Sequence, residues 1–307
     1  MKKSKKKKLK ILIIGYGSIG RIHAKILSKF KNTKIYILTS QKKAPYKIIS
    51  NLKEILICDP DYIIISCVTT LHFKYVDFIE KNLKDKLVLV EKPLFEKHKK
   101  ILCKNNKYFT GYNLRFHPII KFIKSKFKNR TVKYINVNCS SYLPNWRNNI
   151  NYTKAVSASK VKGGGVLLEL SHELDYLTWI FGDLNLKNSF NKKISNLKID
   201  TDDILLLNAI VKNKKTIINL AINFFSQVNK REIQVESDGV SIHADIINNK
   251  LIIYEKGKKQ VLTWSKFKIF DTYKKEHISI LKKDFVNLCS LSESLKLLKF
   301  IKKIGQR

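Results

Sequence analysis

The chain is short of arginine, cysteine and long apolar runs, and each shortage removes a class of function. Six of its 61 basic residues are arginine: Arg21, Arg115, Arg130, Arg147, Arg231 and Arg307. Arginine supplies the planar fork that grips phosphates and base edges. A net charge of +37, carried by lysines scattered along the whole chain, therefore does not read as a specific nucleic-acid surface, which gathers its cations in a stripe. Lysine, isoleucine and asparagine are abundant together, as AT-rich codon usage would produce. The charge still steers anionic small molecules toward the protein. The five cysteines (Cys58, Cys67, Cys103, Cys139 and Cys289) are odd in number and contain no CxxC pair. That argues against a disulfide framework or a zinc site and fits the reduced thiols of a cytoplasmic protein. No metal site is expected.

The apolar runs, such as Ile11–Ile14 and Tyr62–Val68, have strand length and fall far below the ~18–20 residues a membrane helix needs. The lysine-rich start, Met1–Lys10, leads into only Ile11–Ile14 and then a glycine, so it does not read as a signal peptide. Lys2–Lys8 are expected to be a disordered, solvated tail. A chain of 307 residues suits two domains of about 100–200 residues each.

What is present is a regular alternation in the first hundred residues. Leu9–Ile14, Lys34–Leu38, Tyr62–Cys67, Lys86–Val90 and Tyr108–Tyr112 read as strands. Ser18–Phe30, Leu52–Ile57 and Leu71–Leu83 carry apolar residues at helical spacing. Strand and helix in turn imply crossover units and a parallel sheet. A helix is expected from Leu114 to about Phe127. Beyond it Val132–Tyr142, Ile204–Val211, Thr216–Phe225, Arg231–Ser237, Val240–Asp245 and Lys250–Tyr254 read as strands of a mostly antiparallel sheet. A helical stretch, Val166–Phe181, interrupts them, and Lys275–Ile304 is expected to close the chain as helix. The expected divisions are a basic tail over 1–8, a dinucleotide-binding domain over 9–113 and a second, α/β domain over 114–307.

Gly15-Tyr16-Gly17-Ser18-Ile19-Gly20 fits GxGxxG, follows a predicted strand and opens a predicted helix, which is the context the motif requires. Gly15 permits the tight turn, Gly17 lets the backbone approach a pyrophosphate, and Gly20 lets helix and strand pack closely. Ser18 and Ile19 stand at the helix N-terminus, whose free N–H groups and positive dipole end suit phosphate. After the second strand, Thr39-Ser40-Gln41-Lys42-Lys43 lacks the carboxylate that bonds the ribose hydroxyls of NAD. Hydroxyls on Thr39 and Ser40 followed by two lysines suit a 2′-phosphate, so NADP is favoured over NAD.

Two further constellations carry chemistry. Glu91-Lys92-Pro93 ends a parallel strand, where ligands of open α/β sheets bind; Lys92 there can hydrogen-bond a substrate hydroxyl. Glu169, His172 and Asp175 share a face if their segment is one helix. A carboxylate can orient the imidazole, which exchanges a proton near neutral pH. The plain alternative for the second is a surface ion cluster.

The glycine turn, Glu91-Lys92-Pro93, Thr110-Gly111-Tyr112-Asn113-Leu114-Arg115-Phe116-His117-Pro118, and the stretch from Tyr142-Leu143-Pro144-Asn145-Trp146-Arg147 to Gly163–Leu177 together resemble the Gfo/Idh/MocA oxidoreductases. The resemblance spans about residues 9–182. It implies an N-terminal Rossmann domain and a C-terminal α+β domain with an open, mostly antiparallel sheet. It implies hydride transfer between a nicotinamide and a hydroxyl-bearing carbon of a sugar, cyclitol or nucleotide sugar, and links the Trp146–Arg147 region to surface-polysaccharide sugar synthesis. Lys92 is then the residue on the substrate hydroxyl and His172 the acid/base, with Glu169 beside it. Val68, Thr69, His72 and Glu91 line the cofactor, and Arg115, Trp146 and Asp175 meet substrate. A homo-oligomer, dimer or tetramer, is also implied. Two departures stand out. Many members place Asp four residues before the histidine, where this chain has Glu169 three before it. The segment between Pro93 and Tyr108 is also short. A dinucleotide-binding regulatory or structural protein without catalysis is the competing reading.

Overall fold

A computed structural model describes residues 8–147 and 151–305; of the expected lysine tail only Lys8 falls among them. The chain divides into two compact units, Met1–Tyr112 with Tyr273–Leu295, and Asn113–Thr272 with Lys296–Arg307.

In the first unit the strands are β1 (Leu9–Ile14), β2 (Thr33–Leu38), β3 (Lys47–Ile49), β4 (Tyr62–Ile65), β5 (Leu87–Val90) and β6 (Lys107–Thr110). They lie side by side in the order β3-β2-β1-β4-β5-β6, all parallel. The central β4 is wholly buried from Tyr62 to Ile65, as continuous apolar strands covered on both faces must be. The crossovers are α1 (Ser18–Leu27), α2 (Leu52–Cys58) and α3 (His72–Asn82). Asn51 caps α2 by accepting from Glu54 N at 3.1 Å, and Asp59 ends it with φ +43° just before Pro60. β3 is missing from the sequence expectation because it is a three-residue edge strand with no periodicity to read. Between Pro93 and Lys107 there is no helix.

The second unit opens with α4 (Pro118–Lys126), four residues later than its expected start. Pro118 presets the first helical turn, and the His117 side chain caps it by accepting from Ile119 N at 3.2 Å. Next come β7 (Val132–Tyr142), α5 (Val166–Glu169), α6 (His172–Phe181), β8 (Leu184–Lys192), β9 (Ile204–Val211), β10 (Ile217–Asn223), β11 (Phe225–Ser237), β12 (Val240–Asp245), β13 (Lys250–Glu255) and β14 (Lys258–Thr263). They form one open sheet in the order β14-β13-β12-β11-β7-β10-β9-β8. Among the described residues only β7 and β10 of this sheet pair in parallel, so the sheet is mostly antiparallel, as expected. One face is buried, with Leu205, Leu207, Ala209 and Val211 of β9 and Ile218, Leu220 and Ile222 of β10 pointing into it. The two strands the sequence hid, β8 and β14, are the sheet's edges, where polar residues outnumber apolar ones.

The C-terminal segment differs from the expected single helix over Lys275–Ile304. Helix α7 (Phe270–Leu281) stops, strand β15 (Cys289–Ser290) follows, and α8 (Leu291–Ile304) begins. Lys283 adopts φ +58°, which ends the first helix. Ser290 and Glu293 then form a capping box: Ser290 N donates to Glu293 Oε2 at 2.8 Å and Glu293 N to Ser290 Oγ at 3.3 Å, satisfying donors that a helix start leaves open. β15 pairs antiparallel with β6 and makes the first sheet seven-stranded. The first unit therefore takes back part of the chain that the expected second domain, 114–307, contained.

Candidate dinucleotide and catalytic sites

The glycine turn joins β1 to α1, and its three glycines answer to three different geometries. Gly15 has φ +93°, and a Cβ on it would lie 2.6 Å from the Cys67 backbone. A Cβ on Gly20 would come within 2.1 Å of Gly15 O. Gly17, by contrast, has open space: nothing lies within 4 Å of its would-be Cβ. Gly17 is the N-cap of α1 and offers no side-chain capping bond. Gly17 and Ser18 are exposed and Ile19 half-buried. The first-turn N–H groups thus face outward at the carboxyl end of a parallel sheet, beside an open approach. That is the cradle a pyrophosphate requires, and these residues fit a dinucleotide. Ser66, which the sequence reading passed over, braces the turn by donating to Gly15 O at 2.9 Å.

At the end of β2, Thr39 is half-buried and Ser40, Lys42 and Lys43 are exposed. Arg21 was visible in the sequence only as the residue after Gly20. Its Nη2 donates to Gln41 Oε1 at 3.2 Å, its Nε lies 3.4 Å from Tyr16 O, and its guanidinium lies over the Tyr16 ring, 5.4 Å from the centroid. Gln41 Nε2 in turn donates to Tyr16 O at 2.8 Å. The carboxamide orients Arg21 without cancelling its charge. Both the turn and the end of β2 therefore present cations and neutral donors, with no carboxylate among residues 39–43.

The loop after β4 and the loop after β5 meet at His72. Val68 is partly exposed and Thr69 buried. His72 is almost wholly buried; its Nε2 lies 3.1 Å from Cys67 O, and its Nδ1 3.2 Å from both Pro93 O and Leu94 O. Burial pushes its pKa down, against the opposing pull of these carbonyls. His72, expected to line the cofactor, is packed between two backbone loops, where a neutral ring donates its single N–H to one side only. Glu91 is also turned inward, with Oε1 2.8 Å from His23 Nε2 and 2.9 Å from the Cβ that Gly111 lacks. Lys92, next in sequence, is half-buried.

In the second unit the glycine run Gly163-Gly164-Gly165 allows close approach: a Cβ on Gly164 would meet Val156 O at 2.1 Å, and one on Gly165 would meet Asp202 Oδ1 at 2.2 Å. Asp202 caps α5 by accepting from Leu167 N at 2.9 Å, and burial raises its carboxyl pKa. The single helix expected over Val166–Phe181 is broken at Leu170 and Ser171. Ser171 Oγ donates back to Leu168 O at 2.8 Å, a local bond that competes with the helical ladder. Glu169 ends α5 and His172 begins α6; both are half-exposed. Asp175 pairs with Arg115, Nη2 to Oδ1 at 2.7 Å, and both residues, expected on substrate, are 2% exposed. Trp146 is half-buried, packed edge-on against Phe224 and donating from Nε1 to Ser141 Oγ at 2.9 Å. It lines a small pocket with Leu143, Arg147 and Tyr152.

Residues 9–107 match the Gfo/Idh/MocA family, described as an oxidoreductase family with an NAD-binding Rossmann fold. No curated protein matches the sequence. Among solved structures, the fold is similar to the UDP-N-acetylglucosamine 3-dehydrogenase GnnA of Acidithiobacillus ferrooxidans, at 16% identity and TM-score 0.77, covering 97% of this chain and 96% of that one. It is also similar to a levoglucosan dehydrogenase in complex with NADH and levoglucosan, at 13% identity and TM-score 0.83, covering 98% and 97%. A third is an oxidoreductase from Agrobacterium radiobacter in complex with NAD+, L-tartaric acid and magnesium, at 13% identity and TM-score 0.78, covering 97% and 96%. At these identities the likeness is one of fold.

Proposed function

We propose that the chain, whose residues 9–107 match the Gfo/Idh/MocA oxidoreductase family with its NAD-binding Rossmann fold, is a nicotinamide-dependent dehydrogenase or reductase of sugar, cyclitol or nucleotide-sugar hydroxyls. The observation that carries this reading is the open, uncapped start of α1 at Gly17, which leaves backbone donors for a dinucleotide pyrophosphate. Bound there, the cofactor supplies a hydride acceptor or donor. Lys92 hydrogen-bonds the substrate hydroxyl, and His172 takes or returns its proton, with Glu169 beside it in sequence. The names of the fold neighbours, which include sugar and nucleotide-sugar dehydrogenases, support the substrate class.

NADP is the favoured cofactor. Arg21, held by neutral Gln41, and the hydroxyls of Thr39 and Ser40 suit a 2′-phosphate, and the position that a ribose-binding acid would take holds none. The test is fluorescence titration with NADH and NADPH, followed by NAD(P)+ reduction with a panel including UDP-N-acetylglucosamine, levoglucosan and inositol. Tighter NADPH binding and turnover of a panel member are the expected results. A clear NADH preference would overturn the cofactor assignment, and failure to bind either dinucleotide would overturn the whole reading.

A further inference from the structure

Four buried polar residues far apart in sequence meet behind Glu91. His23 lies on the inner face of α1, Tyr62 begins β4, Glu91 follows β5, and His277 arrives on the part of α7 that belongs to the first unit. Tyr62, His23 and His277 are fully buried, and Glu91 is 7% exposed. Tyr62 Oη lies 2.8 Å from His277 Nδ1, His277 Nε2 lies 2.8 Å from His23 Nδ1, and His23 Nε2 lies 2.8 Å from Glu91 Oε1. Each ring nitrogen of both imidazoles thus has one partner, and the file has no gap.

With both imidazoles neutral, donor and acceptor counting gives the file a direction. A carboxylate accepts only, so His23 Nε2 carries a hydrogen and donates to Glu91. In a neutral imidazole the other nitrogen then accepts. His23 Nδ1 therefore accepts from His277 Nε2–H, and His277 Nδ1 accepts from the Tyr62 hydroxyl. This arrangement satisfies all three bonds with both imidazoles neutral. Burial, and after it the neighbouring His23, hold His277 well below its ordinary pKa. Burial, then the charges of Glu276 and Glu91, hold the Tyr62 phenol above its ordinary value. Glu276 is itself buried, and the Tyr273 ring packs edge-on against His23, with centroids 5.7 Å apart.

We propose that Tyr62, His277 and His23 are positioning residues that fix the Glu91 carboxylate, and through it the backbone that presents Lys92. Glu91 is held on its other sides by its N–H bond to Ile65 O at 2.8 Å and by the close backbone of Gly111. Beyond Lys92, the buried His72 ring packs against Pro93 O and Leu94 O, its Nδ1 3.2 Å from each. Lys92 therefore sits between two anchored neighbours, and one anchor depends on a residue supplied by the C-terminal part of the chain. The proposal rests on the assignment of Lys92 to the substrate hydroxyl.

Two measurements test it on the full-length protein. In 15N spectra of histidine-labelled protein at neutral pH, His23 and His277 should both appear as neutral Nε2–H tautomers. A charged ring or an Nδ1–H tautomer at either position would overturn the direction of the file. In dehydrogenase assays with NADP+ and a turned-over member of the substrate panel, His277→Leu should lower kcat by about 10- to 100-fold through misplacement, while the dinucleotide Kd is retained. His277→Gln, whose carboxamide can donate toward His23 and accept from Tyr62, should restore most of that loss. A folded His277→Leu protein with wild-type kcat, alongside an inactive Lys92→Met, would overturn the positioning role. Activity retained in Lys92→Met would instead overturn the assignment of Lys92 and leave the tautomer measurement as the test of the file.

Discussion

Arg115 closes a bidentate ion pair on Asp175, with Nη2 2.7 Å from Oδ1 and Nε 2.9 Å from Oδ2, beneath the surface of the second unit. The guanidinium also lies 5.2 Å from the Trp179 ring centroid. Breaking such a pair on one side strands a buried charge, at a cost of about 3–5 kcal/mol. Asp175→Asn should therefore lower stability by that order in chemical denaturation. Replacing both partners, Arg115→Met with Asp175→Leu, should cost much less, because the desolvation of both charges is relieved together.

The three glycines of the turn should separate folding from binding. Gly15→Ala and Gly20→Ala each force a Cβ into backbone atoms and should lower the melting temperature or prevent folding. Gly17→Ala meets nothing within 4 Å, so it should fold normally. The methyl would occupy the space a pyrophosphate needs, and NADPH affinity should fall by about 10-fold or more, in line with the ~1.5–3 kcal/mol of a hydrogen bond to a charged group. Thermal melting and fluorescence titration on the three variants would show the division.

Arg21→Ala should weaken NADPH by about 10- to 100-fold while changing NADH little, since a charge-assisted bond to a 2′-phosphate contributes ~1.5–3 kcal/mol. Equal losses for the two dinucleotides would place Arg21 on the shared part of the cofactor.

Lys92→Met and His172→Ala should each cut turnover by about 100-fold or more, the scale of general acid–base assistance, with dinucleotide Kd unchanged. Steady-state kinetics beside the binding titration would read both quantities.

Stability should fall on mild acidification. The folded pKa of His277 is depressed well below the ordinary value of 6.5, and that of His72 is depressed as well. The unfolded chain then binds more protons than the folded one just below 6.5, so the stability these groups contribute is complete above that pH and is lost as pH falls toward their folded pKa values. Urea denaturation through this range should show the decline, and His277→Gln should flatten part of it.

The sequence made the first sheet readable because its signals are local. A run such as Tyr62–Ile65 must be buried, and Gly15–Gly20 between a strand and a helix has few other meanings. It was poorest at short or edge strands such as Lys47–Ile49 and Lys258–Thr263, which have little apolar pattern, and at Cys289–Ser290, whose capping box was present but hidden inside a helical rhythm.

Side-chain fate was a different matter. Sequence alone determined that a Rossmann turn would stand before α1, that no acid would follow β2, and that Lys92 would sit at a strand's carboxyl end, because each depends on neighbours within a few residues. Only the tertiary structure decided that Arg115 and Asp175 would bind each other, that His72 would be buried against backbone carbonyls, and that His277 would reach His23 from 254 positions away. Buried polar atoms must find partners wherever the packed chain brings them, and spacing along a sequence does not record those encounters.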